Sequence, residues 1–378
     1  MNTLRVGLIG TGFMGKAHAL AWNAVKAVFG DVTKPELALL CDADEALTKK
    51  RAEDYGFAGY TTDWRALVNH PDIDVVSITT PNGLHRDMAT AALQAGKHVW
   101  CEKPMALTLE DAQAMRLAAQ ASGKVTMLGY NYTRNPAIHH ARTLIESGAI
   151  GRVFHFRGWV DEDYLAAAEI PWSWRARLKD AGLGVLGDLM CHLVSLATLV
   201  CGPIEKLVAD TDIVHPERPL ADDSGKTGTV ENEDVANGLV RFANGASGAL
   251  LASRASWGRK SWLGFEVHGT EGTILYQQEQ MNELQLFSRK IAADDTPALQ
   301  GFKRILTGPA HEPYKLFCPA PGHGLGFNDL KIIECADLIR AIEGKGKAWP
   351  DFTTGYEIER VIHTFARSKE TQSWMSLV

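Results

Sequence analysis

From Leu4 to about Leu128, short apolar runs alternate with helix-length amphipathic segments. LRVGLIG, ELALLCD, IDVVSITT, KHVWCEK and KVTMLGY read as strands buried on both faces. Between them, MGKAHALAWNAVKAVF, ADEALTKKRAEDYG, LHRDMATAALQAG and TLEDAQAMRLAAQASG read as helices, several closing on a glycine suited to a left-handed cap. Strand and helix in strict alternation predict right-handed crossovers, and so a doubly wound parallel sheet over residues 1–129.

After Asn131 the pattern changes. A helical segment (AIHHARTLIESG) leads to one strand (RVFHFRGWV), then to a Trp-rich irregular stretch and a helix through Asp188 and His192. VANGLVRF, GALLASRAS, FEVHG, GTILYQQ and NELQLFS follow as strands, punctuated by turns such as Ala243-Asn244-Gly245 and Gly269-Thr270-Glu271-Gly272. Residues 130–378 are therefore expected to form an α+β domain with a large, mostly antiparallel open sheet. Residues from about 291 to 326 show no period and read as a long loop. Two helices, DLKIIECADLIRAIEGKG and TGYEIERVIHTFARS, close the chain. The strands are long enough to leave one sheet face without helices, so a second subunit is expected to cover it, as a homodimer or homotetramer.

Composition narrows the function. With 378 residues, 46% hydrophobic and 22% charged, the chain has the make-up of an ordinary globular protein. A formal net charge of -6 and the lack of any Lys/Arg block argue against a nucleic-acid partner. The six cysteines (Cys41, Cys101, Cys191, Cys201, Cys318, Cys335) form no C-x-x-C pair, which argues against a zinc ribbon or redox motif and for thiols in a reducing cytoplasm. No secretory leader or membrane span is read, and the adjacent His139 and His140 would point apart on a helix, so no metal is expected.

Gly10-Thr11-Gly12-Phe13-Met14-Gly15 follows the first strand and opens the first helix, the setting that makes G-x-G-x-x-G informative. Gly10 permits the turn, Gly12 lets backbone approach a pyrophosphate and Gly15 lets helix and strand pack closely, so the fold is expected to be of Rossmann type. An unliganded glycine turn is the competing reading. The same stretch nearly fits G-x-x-x-x-G-K-[ST], but Ala17 replaces the magnesium-binding hydroxyl. Asp42, closing the second strand, is placed to accept the adenosine ribose hydroxyls, a helix-capping carboxylate being the alternative. No Arg sits beside it to meet a 2'-phosphate, so NAD is expected rather than NADP.

Four further elements carry a resemblance: Cys101-Glu102-Lys103-Pro104, Gly187-Asp188-Leu189-Met190-Cys191-His192, Thr80-Pro81-Asn82-Gly83-Leu84-His85 and Gly129-Tyr130-Asn131-Tyr132. In this order and placement, they resemble the Gfo/Idh/MocA oxidoreductases, the family of glucose-fructose oxidoreductase and inositol dehydrogenase. Trp172-Ser173-Trp174-Arg175, HGTEGTI and TGPAH are similar to its sugar dehydrogenases of the levoglucosan dehydrogenase type. The resemblance implies a dinucleotide site from the glycine loop with Phe13 and Met14, Asp42, Thr80, Pro81, Asn82, His85, Glu102, Lys103 and Asn131. It also implies Lys103, Asp188 and His192 at the substrate. Where that type has Gln-Asp-Trp after the first strand of the second domain, this chain reads Glu162-Asp163-Tyr164, a departure that bears on which hydroxyl is gripped.

Oxidising an alcohol requires a base for the hydroxyl proton and a cation for the developing alkoxide. An imidazole with an ordinary pKa near 6.5 suits the first role, so His192 is read as base and Lys103 as stabiliser, with Lys103 as immediate proton acceptor the alternative. Asp188, four residues before His192 on the expected helix, shares its face and binds a neighbouring hydroxyl or orients the imidazole. Trp159, Trp172, Trp174, Tyr132 and Tyr164 offer stacking surface, Glu162, Asp163 and Arg175 polar contacts. The expectation is an NAD-dependent oxidoreductase that oxidises a ring secondary alcohol of a neutral sugar, anhydrosugar or inositol. The alternative is a non-catalytic dinucleotide-binding sensor of the same fold.

Overall fold

The computed structural model describes residues 3–222, 225–291 and 296–377. The chain forms two compact units, one of Met1–Arg134 with Gly326–Glu359 and the other of Asn135–Leu325 with Arg360–Val378. The first unit therefore takes in a C-terminal stretch that element order alone leaves with the second domain.

In the first unit, β1 (Leu4–Ile9), β2 (Pro35–Cys41), β3 (Gly59–Thr61), β4 (Val75–Ile78), β5 (His98–Cys101) and β6 (Thr126–Leu128) form one parallel sheet in the order β3-β2-β1-β4-β5-β6. The helices connecting these strands are α1 (Phe13–Val28), α2 (Glu45–Tyr55), α3 (Trp64–Val68), α4 (His85–Gln94) and α5 (Leu109–Ser122). Val75–Ile78 is buried at every position, as a strand covered on both faces must be. The sequence pattern did not reveal β3 or α3. Gly59-Tyr60-Thr61 is too short for periodicity to register, and α3 is five residues long, started by Asp63 accepting the Arg65 N–H at 2.8 Å.

In the second unit, nine of the described strands form one sheet in the order 303–306, 283–288, 272–277, 262–269, 153–161, 247–253, 235–242, 204–212 and 375–376. Every neighbouring pair is antiparallel except Val153–Asp161 with Ser247–Ser253. The helices Pro136–Glu146 and Cys191–Cys201 pack on the sheet. Along Val235–Phe242 burial alternates strictly, with Ala236, Gly238, Val240 and Phe242 inside and Asn237, Leu239 and Arg241 exposed. The region read as a long loop contains an edge strand, Lys303–Leu306, and a short helix, Tyr314–Phe317. That strand is held by backbone pairing to Glu283–Ser288 and is largely exposed, so it carries no apolar signature. The helical stretch Leu178–Cys201 is apolar and long enough to cross a membrane by composition, but 78% of its most apolar window is buried, as in a core helix.

Candidate functional site

The sheet order of the first unit sets the site. The chain leaves β1 for one side and β4 for the other, so a crevice opens between their carboxyl ends, where ligands bind in such sheets. The glycine loop follows β1, Asp42 follows β2, Thr80 follows β4, Glu102 and Lys103 follow β5, and Asn131 follows β6.

Gly10 has φ +102°, and a Cβ there would lie 2.7 Å from Thr79 Oγ1, the hydroxyl that donates to the Ile9 and Gly10 carbonyls at 3.0 Å each. A Cβ at Gly15 would come within 2.1 Å of the Gly10 oxygen, whereas at Gly12 it would meet nothing within 4 Å. Helix α1 starts from Gly12 with no side-chain cap and no acid in its first turn, which keeps its amide end suited to an anion. Phe13 is 73% exposed, and Pro81 and the half-buried Thr80 and Asn82 follow β4. Asp42 Oδ2 accepts the Thr11 N–H at 2.7 Å and its hydroxyl at 2.6 Å, tying the glycine loop to the end of β2. Asn131 is 2% exposed, and its Nδ2 has no hydrogen-bond partner among the described residues. An open backbone cradle, a carboxylate at the ribose position and an orphaned amide donor fit a dinucleotide.

Two residues expected at the cofactor have partners within the fold. Glu102 is buried, and its Oε1 accepts from His18 Nε2 at 2.8 Å and Lys331 Nζ at 2.5 Å. Burial opposes the Glu102 charge, but Lys331 and His18 outweigh it and hold the carboxyl far below the usual carboxylate range. Lys331 also binds Glu334 at 2.8 Å, and the His18 ring stacks on Trp100 at 3.8 Å. A Cβ at Gly129 would lie 2.2 Å from Glu102 Oε1, so this carboxylate occupies the space that glycine leaves. His85, fully buried, places Nδ1 3.0 Å from the Pro104 oxygen and Nε2 2.9 Å from the Thr80 oxygen. It joins the turn after β4 to the turn that carries Lys103, a supporting place rather than a surface one.

In the second unit, Leu186–Met190 is a π-helical turn that runs into the helix Cys191–Cys201. Asp188 lies in the wide turn and His192 in the regular helix, so the uniform helix expected across both is interrupted. Such turns are frequent at functional sites. His192 is 6% exposed, and its carbonyl accepts from Ser195 Oγ at 2.7 Å. Asp188 Oδ2 accepts the Tyr164 phenol at 2.6 Å. Burial, then the Asp188 charge, push the Tyr164 phenol well above its ordinary value, so it remains a proton donor.

The other expected substrate residues divide. Glu162 is half-buried, Trp174 is half-buried with the exposed Arg175 stacked 4.6 Å over its ring, and Tyr132 packs edge-on to Phe327, which in turn stacks on Phe13. Asp163 instead binds Lys260 at 2.6 Å. Trp172 donates to the Thr229 oxygen and carries Arg177, and Trp159 packs against Trp262 at 5.1 Å. Sequence reasoning passed over His18, Lys331, Glu334 and Phe327. The signal for two of them was present, since Lys331 and Glu334 are the charges three apart inside the apolar run IIECADLI and its flank. Among the described residues, no group of three or more His, Cys, Asp or Glu is placed to hold a metal.

Comparison with known proteins follows the same division. Residues 4–130 match the oxidoreductase family with an NAD-binding Rossmann fold, and residues 138–275 match the GFO/IDH/MocA C-terminal domain. The levoglucosan dehydrogenase of Pseudarthrobacter phenanthrenivorans is 39% identical over 389 aligned positions, covering 100% of this chain and 99% of the relative. The 1,5-anhydro-D-fructose reductase of Ensifer adhaerens is 35% identical over 72% of this chain and 75% of its own. Among solved structures, a levoglucosan dehydrogenase in complex with NADH and levoglucosan superposes with a TM-score of 0.94 at 39% identity, over 99% of each chain.

Proposed function

The chain belongs to the GFO/IDH/MocA oxidoreductase family, and on that premise we propose that it is an NAD-dependent dehydrogenase oxidising a ring secondary alcohol of a neutral sugar, anhydrosugar or inositol. The observation that carries this reading is the row of residues along the carboxyl ends of β1, β2, β4, β5 and β6, with the bare glycine cradle, Asp42 and the orphaned Asn131 amide at the dinucleotide's expected place. Full-length similarity to a levoglucosan dehydrogenase supports the substrate class.

The glycine loop and α1 would hold the pyrophosphate, Asp42 the adenosine ribose, and Thr80, Pro81, Asn82 and Asn131 the remaining polar groups. Bound there, NAD would supply the hydride acceptor for the carbinol carbon. His192 takes the hydroxyl proton on an imidazole nitrogen, Lys103 donates a hydrogen bond that steadies the developing alkoxide, and Asp188 accepts from a neighbouring hydroxyl. Trp174 and Tyr132 supply stacking surface for the ring, with Glu162 and Arg175 at its polar edge. The acidic residues disfavour a phosphorylated substrate.

We read the working form as a cytoplasmic homodimer or homotetramer. Leu239 and Leu251 are 55% and 38% exposed on the outer face of the large sheet, where a second subunit would cover them. The test of the function is NADH formation over a panel of neutral sugars, anhydrosugars and inositols. Turnover with at least one member is expected, and nucleotide binding without turnover on any of them would overturn the reading.

A further inference from the structure

The hydrogen bond from Tyr164 to Asp188 joins two segments that are each held rigidly. Around Tyr164, the Glu162 N–H donates to the Ser253 oxygen, the Ser256 N–H to the Glu162 oxygen and the Leu165 N–H to the Arg254 oxygen, at 2.9 to 3.0 Å. The buried Arg218 guanidinium then donates to the Leu165 and Ala167 carbonyls at 2.7 and 2.8 Å. The loop that carries the phenol therefore has little freedom to swing.

Asp188 is fixed from the other side. The Asp188 N–H donates to the Gly184 oxygen at 3.0 Å, and the Val185 N–H to the Glu233 oxygen at 2.8 Å. The Glu233 carboxylate accepts the Leu186 N–H at 3.0 Å, at the start of the π turn. A Cβ at Gly184 would lie 2.1 Å from the Glu233 oxygen, so only glycine allows this approach. The next residue, Asp234, forms a buried ion pair with Arg254 at 2.7 Å, and Arg254 is the residue whose carbonyl holds Leu165. One chain of bonds thus runs from the clamp on the π turn, through Asp234 and Arg254, to the loop bearing Tyr164.

Resting on the function proposed above, we propose that Tyr164 is a positioning residue that sets substrate selectivity by fixing the direction in which the Asp188 carboxylate meets the sugar. A carboxylate on a single Cβ–Cγ bond can turn and accept hydroxyls from several directions. With Oδ2 tied to a phenol whose loop is anchored, it presents one direction only, and neighbouring hydroxyls are distinguished by where they lie relative to it.

The experiment is a double-mutant cycle of Tyr164→Phe and Asp188→Ala. It reads sugar affinity in the NADH-loaded protein by nucleotide fluorescence, with steady-state KM and kcat for each protein. The sugar used is the best substrate of the unaltered enzyme together with its single-hydroxyl epimers. Tyr164→Phe leaves the Asp188 carboxylate to be ordered only on binding, so sugar affinity is expected to fall about 10-fold. The preference among epimers should narrow, while KM for NAD stays unchanged. In the Asp188→Ala background, Tyr164→Phe should change affinity by no more than about twofold, because the partner through which it acts is gone. Equal losses in both backgrounds would show that Tyr164 acts by general packing, and an unchanged sugar KM with unchanged epimer preference would show that it does not act at all. Either result overturns the proposal while leaving the dehydrogenase reading intact. Absence of turnover by the unaltered enzyme on every sugar overturns both.

Discussion

Glu102 and Lys331, 229 residues apart in sequence, meet at 2.5 Å with both side chains out of solvent. The pair ties the turn after β5, and with it Lys103, to the helix Phe327–Ile342. This contact explains why that helix belongs to the unit that carries the dinucleotide crevice.

Removing one member of such a pair leaves a buried charge without compensation, which costs about 3–5 kcal/mol. Lys331→Met is therefore expected to lower unfolding free energy by roughly that amount, measured by denaturant titration. Lys331→Met combined with Glu102→Gln should be less damaging than Lys331→Met alone, because one of the two carboxylates that lose their cation, the other being Glu334, is then neutral. A double variant as unstable as the sum of the two single ones would contradict this.

The same cluster gives stability a pH dependence. Burial first, offset in part by Glu102, holds His18 at about 4, against 6.5 for an ordinary imidazole. The unfolded chain thus takes up a proton below about 6.5 that the folded chain refuses until about 4. Stability is expected to rise with pH across that window, and His18→Asn should flatten the rise. His98, also held at about 4 by burial, supplies a second part of the slope. Unfolding midpoints from pH 4 to 7 measure both, and a slope unchanged by His18→Asn would rule out its share.

In the function proposed above, cofactor choice rests on Asp42. Its carboxylate fixes the glycine loop through Thr11 and would repel a 2'-phosphate, so kcat/KM should favour NAD clearly over NADP. Asp42→Ser should narrow that ratio, chiefly by weakening NAD. Gly15→Ala, which drives a methyl into the Gly10 oxygen, should abolish NAD binding by calorimetry. Comparable use of both nucleotides by the unaltered enzyme would contradict the assignment.

What could be read from sequence followed the reach of each signal. The glycine loop, Asp42 and the alternation of strands with helices are local, and local periodicity or spacing announces them. Glu102 and His85 are expected at the cofactor from the resemblance, because they lie within the motifs that carry it. Their buried partners, Lys331 and two backbone carbonyls, come from distant segments or carry no side-chain signature. The clamp on Asp188 was hidden for a related reason. A π turn differs from a helix by one residue of register, and Gly184 and Glu233, which hold it, are almost fifty residues apart in sequence. Strand Lys303–Leu306 escaped because an exposed edge strand has no apolar face to display.

Action of His192 and Lys103 on a neutral polyol, as proposed, is checked by steady-state NAD reduction, with neutral sugars set against their phosphorylated counterparts, in the unaltered enzyme and in His192→Ala. The neutral sugar should be clearly preferred, and His192→Ala should lower kcat on the order of 10²-fold or more while still binding NAD. Preference for a sugar phosphate, or full activity without His192, would contradict it.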